Sequence, residues 1–322
     1  MVAWASSKVL ASNPGNAMTE PTIETVGHDM HGKTVLITGT ASGMGRIAAH
    51  RLAELGARLI LVDRDVANGQ SGYAEILRDT GNQAVEFLAC DVTDLSQVRH
   101  LCADVSARYE RLDVLINNAG ITESVRRESV DGYEMTMATN FLGPFLITRL
   151  LLEKLRASAP ARILNICSDA HKMVKTLEFD DIDNRAGWDG VNHNKGFQAY
   201  ARSKLALAAV SYRFAEDLAG SGVDVYTVSP GYFIKTNVHR NMRGIWKLGV
   251  KLFWPLLQSP YRAARTYVYL ASEPEVTGDT GKYWEHLAHK DSSPASHDRA
   301  LQDKIWSYAL ATTHEKAGES AA

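Results

Sequence analysis

From residue 33 to about residue 285, short apolar runs alternate with longer segments whose apolar positions recur every three or four residues. The runs at 33–37, 58–63, 84–89, 113–117, 161–166 and 223–229 are mostly apolar and rich in β-branched residues, as strands buried on both faces are. Between them, helical spacing predicts helices at 46–55, 67–78, 94–109, most of 131–155, 198–218 and 260–272. In the first of these, Ile47, Ala48, Leu52 and Leu55 share one face, and Asp94 is placed to cap the third. Residues 281–285 read as a last edge strand. This alternation predicts an α/β fold, a single-domain, doubly wound parallel sheet of about seven strands with helices on both faces. No internal repeat or interdomain linker interrupts 31–322, which reads as one domain.

Two segments break the pattern. Residues 1–30 are dominated by Ala, Ser, Asn, Pro, Gly and Thr without periodicity, and read as a disordered or loosely packed extension. They lack the apolar core of a secretory signal, and Met18-Thr19-Glu20 resembles an ordinary N-terminus. Residues 238–259 interleave Ile245-Trp246, Leu248, Val250, Leu252-Phe253-Trp254 and Leu256-Leu257 with Arg240, Arg243, Lys247 and Lys251. That mixture suits a lid over a hydrophobic substrate, a helix packed on the core, a dimer contact, or a contact with a membrane interface.

Composition narrows the partners. With 322 residues, 45% hydrophobic content and a net charge of −2, the chain can bury a large core, and no basic surface for nucleic acid is expected. Cys90, Cys102 and Cys167 show neither metal nor disulfide spacing and read as reduced core thiols, so a cytoplasmic location is expected and no metal site. No apolar stretch is expected to approach the roughly 20 residues that span a bilayer.

The candidate chemistry begins at Thr38-Gly39-Thr40-Ala41-Ser42-Gly43-Met44-Gly45, between the first strand and the first helix. Gly39, Gly43 and Gly45 let backbone approach a pyrophosphate, and the N–H groups at Ser42 to Gly45 open a helix whose dipole favours an anion. This is the dinucleotide-binding context of a Rossmann-type sheet. Tyr200 and Lys204 are four residues apart on a predicted helix and therefore share a face. The ammonium is expected to lower the phenol from its ordinary value near about 10, equipping Tyr200 to exchange a proton with an alcohol or carbonyl oxygen. Ser168, at the end of the fifth strand, lies where an open sheet binds ligands.

Taken in order, Thr38-Gly39-x-x-x-Gly43-x-Gly45, Asn117-Asn118-Ala119-Gly120, Asn140, Ser168, Tyr200-x-x-x-Lys204 and Pro230-Gly231 resemble the short-chain dehydrogenase/reductase family over roughly residues 31 to 310. The long interval between Ser168 and Tyr200, with Gly281-Lys282-Tyr283-Trp284, Ser293-Pro294 and Trp306, resembles the retinol-dehydrogenase-like branch. The resemblance implies an NAD(P)-dependent oxidoreductase interconverting an alcohol and its carbonyl. It implies that Ser168 fixes the substrate oxygen, that Tyr200 is the acid/base, and that Lys204 also holds the nicotinamide ribose. It makes Asn140 the asparagine that kinks its helix and anchors a water leading to Lys204. Asp91, Val92, Asn117, Ala119 and Gly120 become adenine-side contacts, with Asn117 to Gly120 also expected to hold the sheet's central strand ends together, and Pro230 and Gly231 seat the nicotinamide. Thr236 stands one position late for the family's carboxamide contact.

Asp63 closes the second strand, where a carboxylate accepts hydrogen bonds from adenosine ribose hydroxyls and repels a 2′-phosphate. Arg64 and Arg46 argue for a phosphate. NAD is the expected cofactor, with NADP the alternative. The substrate is expected to be a small hydrophobic alcohol or carbonyl, shaped by 169–197 and by the segment at 238–259. His171 and His193, in the first of these segments, read as surface-loop histidines. A homo-oligomer is expected. A catalytically silent dinucleotide-binding regulator on the same fold is the alternative function.

Overall fold

A computed structural model describes residues 22–231, 234 and 258–315. Eight strands form one sheet in the order β3-β2-β1-β4-β5-β6-β7-β8. They are β1 (Thr34–Thr38), β2 (Arg58–Asp63), β3 (Val85–Ala89), β4 (Val114–Asn117), β5 (Ala161–Ile166), β6 (Val223–Ser229), β7 (Lys282–Glu285) and β8 (Ala288–Lys290). All neighbours are parallel except β7 and β8. The helices are α1 (Gly43–Glu54), α2 (Val66–Thr80), α3 (Leu95–Arg108), α4 (Met135–Ala157), α5 (His193–Asp217), α6 (Pro260–Ser272) and α7 (Arg299–Thr312).

The period-2 alternation of strand side chains divides the core in two. Leu36, Ile60, Leu115 and Ile163 face α3, α4 and α5, whereas Val35, Ile37, Leu59, Leu61, Val114, Ile116 and Leu164 face α1 and α6. Each central strand is therefore apolar throughout, which is why its sequence reads as a continuous run. Strand order reverses between β1 and β4, the switch point beyond whose carboxyl ends a doubly wound sheet leaves a crevice.

The predicted elements are present, with four differences. The sheet gains β8, reached through His286 and Leu287 at φ 51° and 65°. Paired left-handed residues form the tight hairpin turn that Asn-Gly or Asp-Gly usually signals, and His-Leu carries no such signal. Helix α7 was not foreseen, although Leu301, Ile305 and Ala309 lie along one buried face and Asp298 caps Leu301 N. Of the extension at 1–30, residues 1–21 lie outside the described residues, and Ile23, Val26 and Met30 are buried among the side chains of the α1/α6 face. Finally, α4 is 23 residues long and apolar enough to cross a bilayer, contrary to expectation, but 83% of its most apolar window is buried in the fold, as a core helix requires.

Thr236 and nearly all of 238–259 lie outside the described residues. Cys90, Cys102 and Cys167 are unpaired and buried.

Candidate active site

A cavity of about 910 Å³ opens beyond the carboxyl ends of β1, β2, β4, β5 and β6. Its size is that of a pocket for a cofactor-sized ligand. Gly39, Ser42, Gly43, Met44, Asp63, Arg64, Asp91, Val92, Ala119 and Gly120 line one part, and Ser168, Tyr200, Lys204, Pro230 and Gly231 line the other.

The glycine turn is held by close approach. A Cβ on Gly45 would stand 2.4 Å from both the Gly39 carbonyl oxygen and Asn118 Nδ2, so any side chain would force the turn open. Gly43 has φ +63° with open space where a Cβ would stand, leaving the first turn of α1 facing the cavity. Ser42 caps α1 by position, without a side-chain hydrogen bond to it. A glycine cradle ending in a helix N-terminus fits the pyrophosphate of a dinucleotide. Asn118 fastens this cradle to β4: its Nδ2 donates to Thr38 O at 2.8 Å and to Gly39 O at 3.0 Å.

Asn117 takes up the structural half of its expected role, joining the central strands, and not the adenine-side contact. Its side chain is buried away from the cavity, where Nδ2 donates to Asn165 Oδ1 at 2.8 Å and to Thr148 Oγ1 at 3.0 Å. Asn165 continues the chain to Ser211 of α5 at 2.9 Å. Alternation along β4 sends Asn117 into the core and leaves Asn118 at the cavity.

At the adenine side, Asp63 accepts from Ala41 N at 2.9 Å and from Asp65 N at 3.0 Å, one through each carboxylate oxygen. It thereby fixes the glycine turn and the start of the β2–α2 connection together. Arg64 pairs with Asp91 at 3.2 Å, and Arg46 pairs with Glu75. Each arginine near Asp63 thus has a carboxylate partner.

At the other end, α5 carries Tyr200 and Lys204 on one face, with Lys204 Nζ 5.8 Å from the centroid of the Tyr200 ring. Lys204 is buried, and its ammonium donates to the Ile166 carbonyl at 2.7 Å. Burial lowers the Lys204 pKa to about 8. The same loss of water raises the Tyr200 phenol to about 12, opposed by a hydrogen bond from the Ser168 side chain. The phenol is therefore raised rather than lowered as expected: desolvation dominates, and the opposing influence comes from Ser168, not from Lys204. The ammonium lies over the ring and is bonded to the Ile166 carbonyl.

Asn140 is fully buried, in the stretch Ala138–Leu142 where α4 widens into a π-helical turn. Its Oδ1 accepts from Ile121 N at 2.9 Å, while Nδ2 donates to Ile121 O and to Ser203 Oγ, both at 3.0 Å. Ser203 in turn donates to Tyr200 O at 2.7 Å. Asn140 lines no part of the cavity and reaches Tyr200 through Ser203, a residue that sequence reasoning passed over. Pro230 and Gly231 reach the cavity, as does Ile234.

The segment after Ser168 is a short 3-10 turn, Asp169–Met173, in which Ser168 Oγ accepts from Ala170 N at 3.2 Å. Asp169 is buried and accepts from Tyr283 OH at 3.0 Å and from Lys172 at 2.8 Å. His171 is fully buried, not a surface histidine, whereas His193 lies at the cavity wall. Met173 and Phe197 also line the cavity, yet are 71% and 43% exposed. A half-buried phenol and serine and a buried lysine beside a dinucleotide cradle can exchange a proton with an oxygen bound at Ser168, next to a rim of exposed apolar side chains.

Residues 33–177 match the short chain dehydrogenase family. Human retinol dehydrogenase 13 is 36% identical over 280 residues, covering 85% of this chain and 82% of that one. Human retinol dehydrogenase 14 is 37% identical over 295 residues, covering 86% and 85%. Among solved structures, an uncharacterised protein from Mycobacterium paratuberculosis superposes with a TM-score of 0.72 at 27% identity, covering 92% of this chain and 99% of that chain. Pseudomonas aeruginosa RhlG, in an active-site complex with NADP, superposes with a TM-score of 0.61 at 26% identity, covering 79% and 94%.

Proposed function

The chain belongs to the short-chain dehydrogenase/reductase family as an NAD(P)-dependent oxidoreductase of CH–OH groups, and from that premise we propose that it acts on a hydrophobic alcohol or aldehyde with Tyr200 as acid/base. The observation that carries the reading is the meeting of Ser168 and Tyr200 in one cavity whose rim holds the exposed side chains of Met173 and Phe197. Two relatives are named retinol dehydrogenases, which supports a lipophilic substrate here.

When bound, the nicotinamide cofactor accepts or supplies the hydride. The glycine turn and the first turn of α1 would hold its pyrophosphate, Asp63 its adenosine ribose, and Pro230 and Gly231 its nicotinamide end. The Ser168 hydroxyl, whose oxygen accepts from Ala170 N and whose side chain hydrogen-bonds the Tyr200 phenol, would turn its one proton to the substrate oxygen when substrate binds. Tyr200 gives a proton to that oxygen in reduction and takes one in oxidation. A phenol held protonated suits the donating role, and the Lys204 side chain, 5.8 Å from the ring centroid, is the nearby group that could stabilise the phenolate that donation leaves.

NAD(H) is the preferred cofactor in this reading. Asp63 is the group nearest the expected ribose site, and Arg64 and Arg46 are each engaged by a carboxylate. The NADP complex of RhlG argues for the phosphorylated cofactor in that protein. No observation favours the silent-regulator alternative.

The test is turnover of retinol, decanol and their aldehydes with NAD(H) and NADP(H) in parallel, for the wild type and Tyr200→Phe. Loss of roughly two to four orders of magnitude in turnover in Tyr200→Phe, with cofactor binding retained, is expected. Near-normal turnover in the variant, or activity confined to small hydrophilic alcohols, overturns the proposal.

A further inference from the structure

His171 is fully buried three residues after Ser168, and its ring is bonded at both nitrogens. The backbone N–H of Ser293 donates to Nε2 at 3.0 Å. An N–H donor requires a lone pair on Nε2, so the neutral ring carries its proton on Nδ1. Nδ1 lies 2.7 Å from the carbonyl oxygen of Ser168, which can only accept. The tautomer is thus set by Ser293, and the proton it leaves on Nδ1 is used on the backbone of the serine. The His171 backbone N–H reaches the same carbonyl at 3.1 Å. Burial also pushes the His171 pKa down, in keeping with a neutral ring.

A second anchor comes from the same part of the chain. Tyr283 of β7 donates to Asp169 and packs against His171, the rings tilted by 51° with centroids 5.2 Å apart. The side chains of Asp169 and His171, in the turn after Ser168, are therefore held by Tyr283 and Ser293, more than a hundred residues later in the chain. Tyr283 and Ser293 stand within tail motifs that the dehydrogenase chemistry itself leaves without a task.

We propose that His171 is a positioning residue for Ser168: its Nδ1–H, fixed by the backbone of Ser293, locks the serine's carbonyl and with it the direction of the Ser168 hydroxyl. The inference rests on the reading of Ser168 as the group that binds the substrate oxygen. Because misplacement of a reacting group by about 1 Å can cost on the order of a hundredfold in rate, a brace on the backbone of this serine acts on turnover without touching the substrate.

Asparagine and glutamine separate the two halves of the ring. In His171→Asn, Nδ2 takes the place of Nδ1 and retains a donor toward Ser168 O. In His171→Gln, the amide reaches the Nε2 position and can face Ser293, but nothing remains at the δ position. Turnover of retinol and decanol is measured for both variants and for Ser168→Ala, together with cofactor binding and thermal unfolding. His171→Gln is expected to lose roughly ten- to a hundredfold in kcat with cofactor Kd unchanged, and His171→Asn to stay within about threefold of the wild type. Wild-type kcat in a folded His171→Gln, or an equal loss in both variants, overturns the inference while a dead Ser168→Ala leaves the serine reading intact. A fully active Ser168→Ala overturns both. Should neither histidine variant fold, nitrogen NMR of the wild type decides: one of the eleven histidines should be neutral with its proton on Nδ1, and its absence overturns the proposal.

Discussion

Asn140 of α4 and Ser203 of α5 are joined side chain to side chain, Nδ2 to Oγ at 3.0 Å, across the core of the fold. The bond makes two helices into one support. The same amide clamps both polar groups of Ile121 at the end of the β4 segment, and Ser203 passes the constraint to the backbone of Tyr200. A π-helical turn inside an α-helix is uncommon and is often found at functional sites. Here it lies where the asparagine faces the helix that carries the phenol.

Asn140→Ala would leave the Ile121 N–H and C=O buried without their partner, at about 1–3 kcal/mol for each unsatisfied group. Thermal unfolding should fall accordingly, and kcat should fall beyond the loss of folded protein because Ser203, still bonded to Tyr200 O, loses its anchor on α4. Asn140→Asp keeps an acceptor for Ile121 N but sets a carboxylate oxygen against Ile121 O, and should rescue neither property. Unchanged kcat per folded molecule in Asn140→Ala would show the clamp to be structural only.

Asp63 has two tasks, and its replacement should separate them. Asp63→Ser removes a carboxylate that opposes a 2′-phosphate, so the ratio of NADP to NAD efficiency should rise by at least about tenfold. It also releases Ala41 N and Asp65 N, so affinity for both cofactors should fall somewhat. Titration of each cofactor into wild type and variant measures both effects. A wild type that already prefers NADP would refute the role given to Asp63.

Glu134 supplies a pH test. It is fully buried at the start of α4, accepts from Thr136 N and Met137 N, and is pushed up to about 6 by burial. A carboxyl whose folded pKa lies above its unfolded value binds protons more tightly when folded. Its contribution is therefore fully present below about pH 4.3 and is lost as pH rises through about 6, a change on the order of 2 kcal/mol. Glu134→Gln, which keeps one oxygen for the cap, should flatten the stability curve in that window. Denaturant unfolding between pH 4 and 7 checks it, and parallel curves for both proteins would contradict the sign.

The strands and most helices were legible because each central strand is apolar on both faces and each helix has one apolar stripe. The dinucleotide cradle was legible because Gly43 and Gly45 meet requirements that few residues other than glycine satisfy at those positions. What escaped reading depends on contacts between distant residues. His171 looks like any loop histidine until Ser293, 122 residues later, is seen against its ring. Asn117 and Asn118 are identical in type, and only the direction of their side chains gives one to the core and the other to the cradle. The pKa of Tyr200 was misjudged for a similar reason: spacing reveals that Lys204 is near, but the extent of burial is set by the whole fold.

Met173 and Phe197 allow the substrate class to be tested without disturbing the core. Both line the cavity, and with 71% and 43% of their surface exposed, neither contributes much to folding. Fully burying such a side chain is worth about 1.5–3 kcal/mol, and covering the 71% of Met173 and the 43% of Phe197 that are exposed is worth proportionately less, so Met173→Ala should lower kcat/KM for retinol or decanol by roughly five- to thirtyfold and Phe197→Ala by roughly three- to tenfold. A short alcohol such as ethanol cannot reach that rim, and its turnover should be unaffected. Cofactor Kd and thermal unfolding should stay at wild-type values, because the pyrophosphate cradle and the core are untouched. An equal loss for long and short alcohols would place the two residues in the catalytic geometry rather than in substrate choice. No loss for either would mean that the lipophilic part of the substrate lies elsewhere.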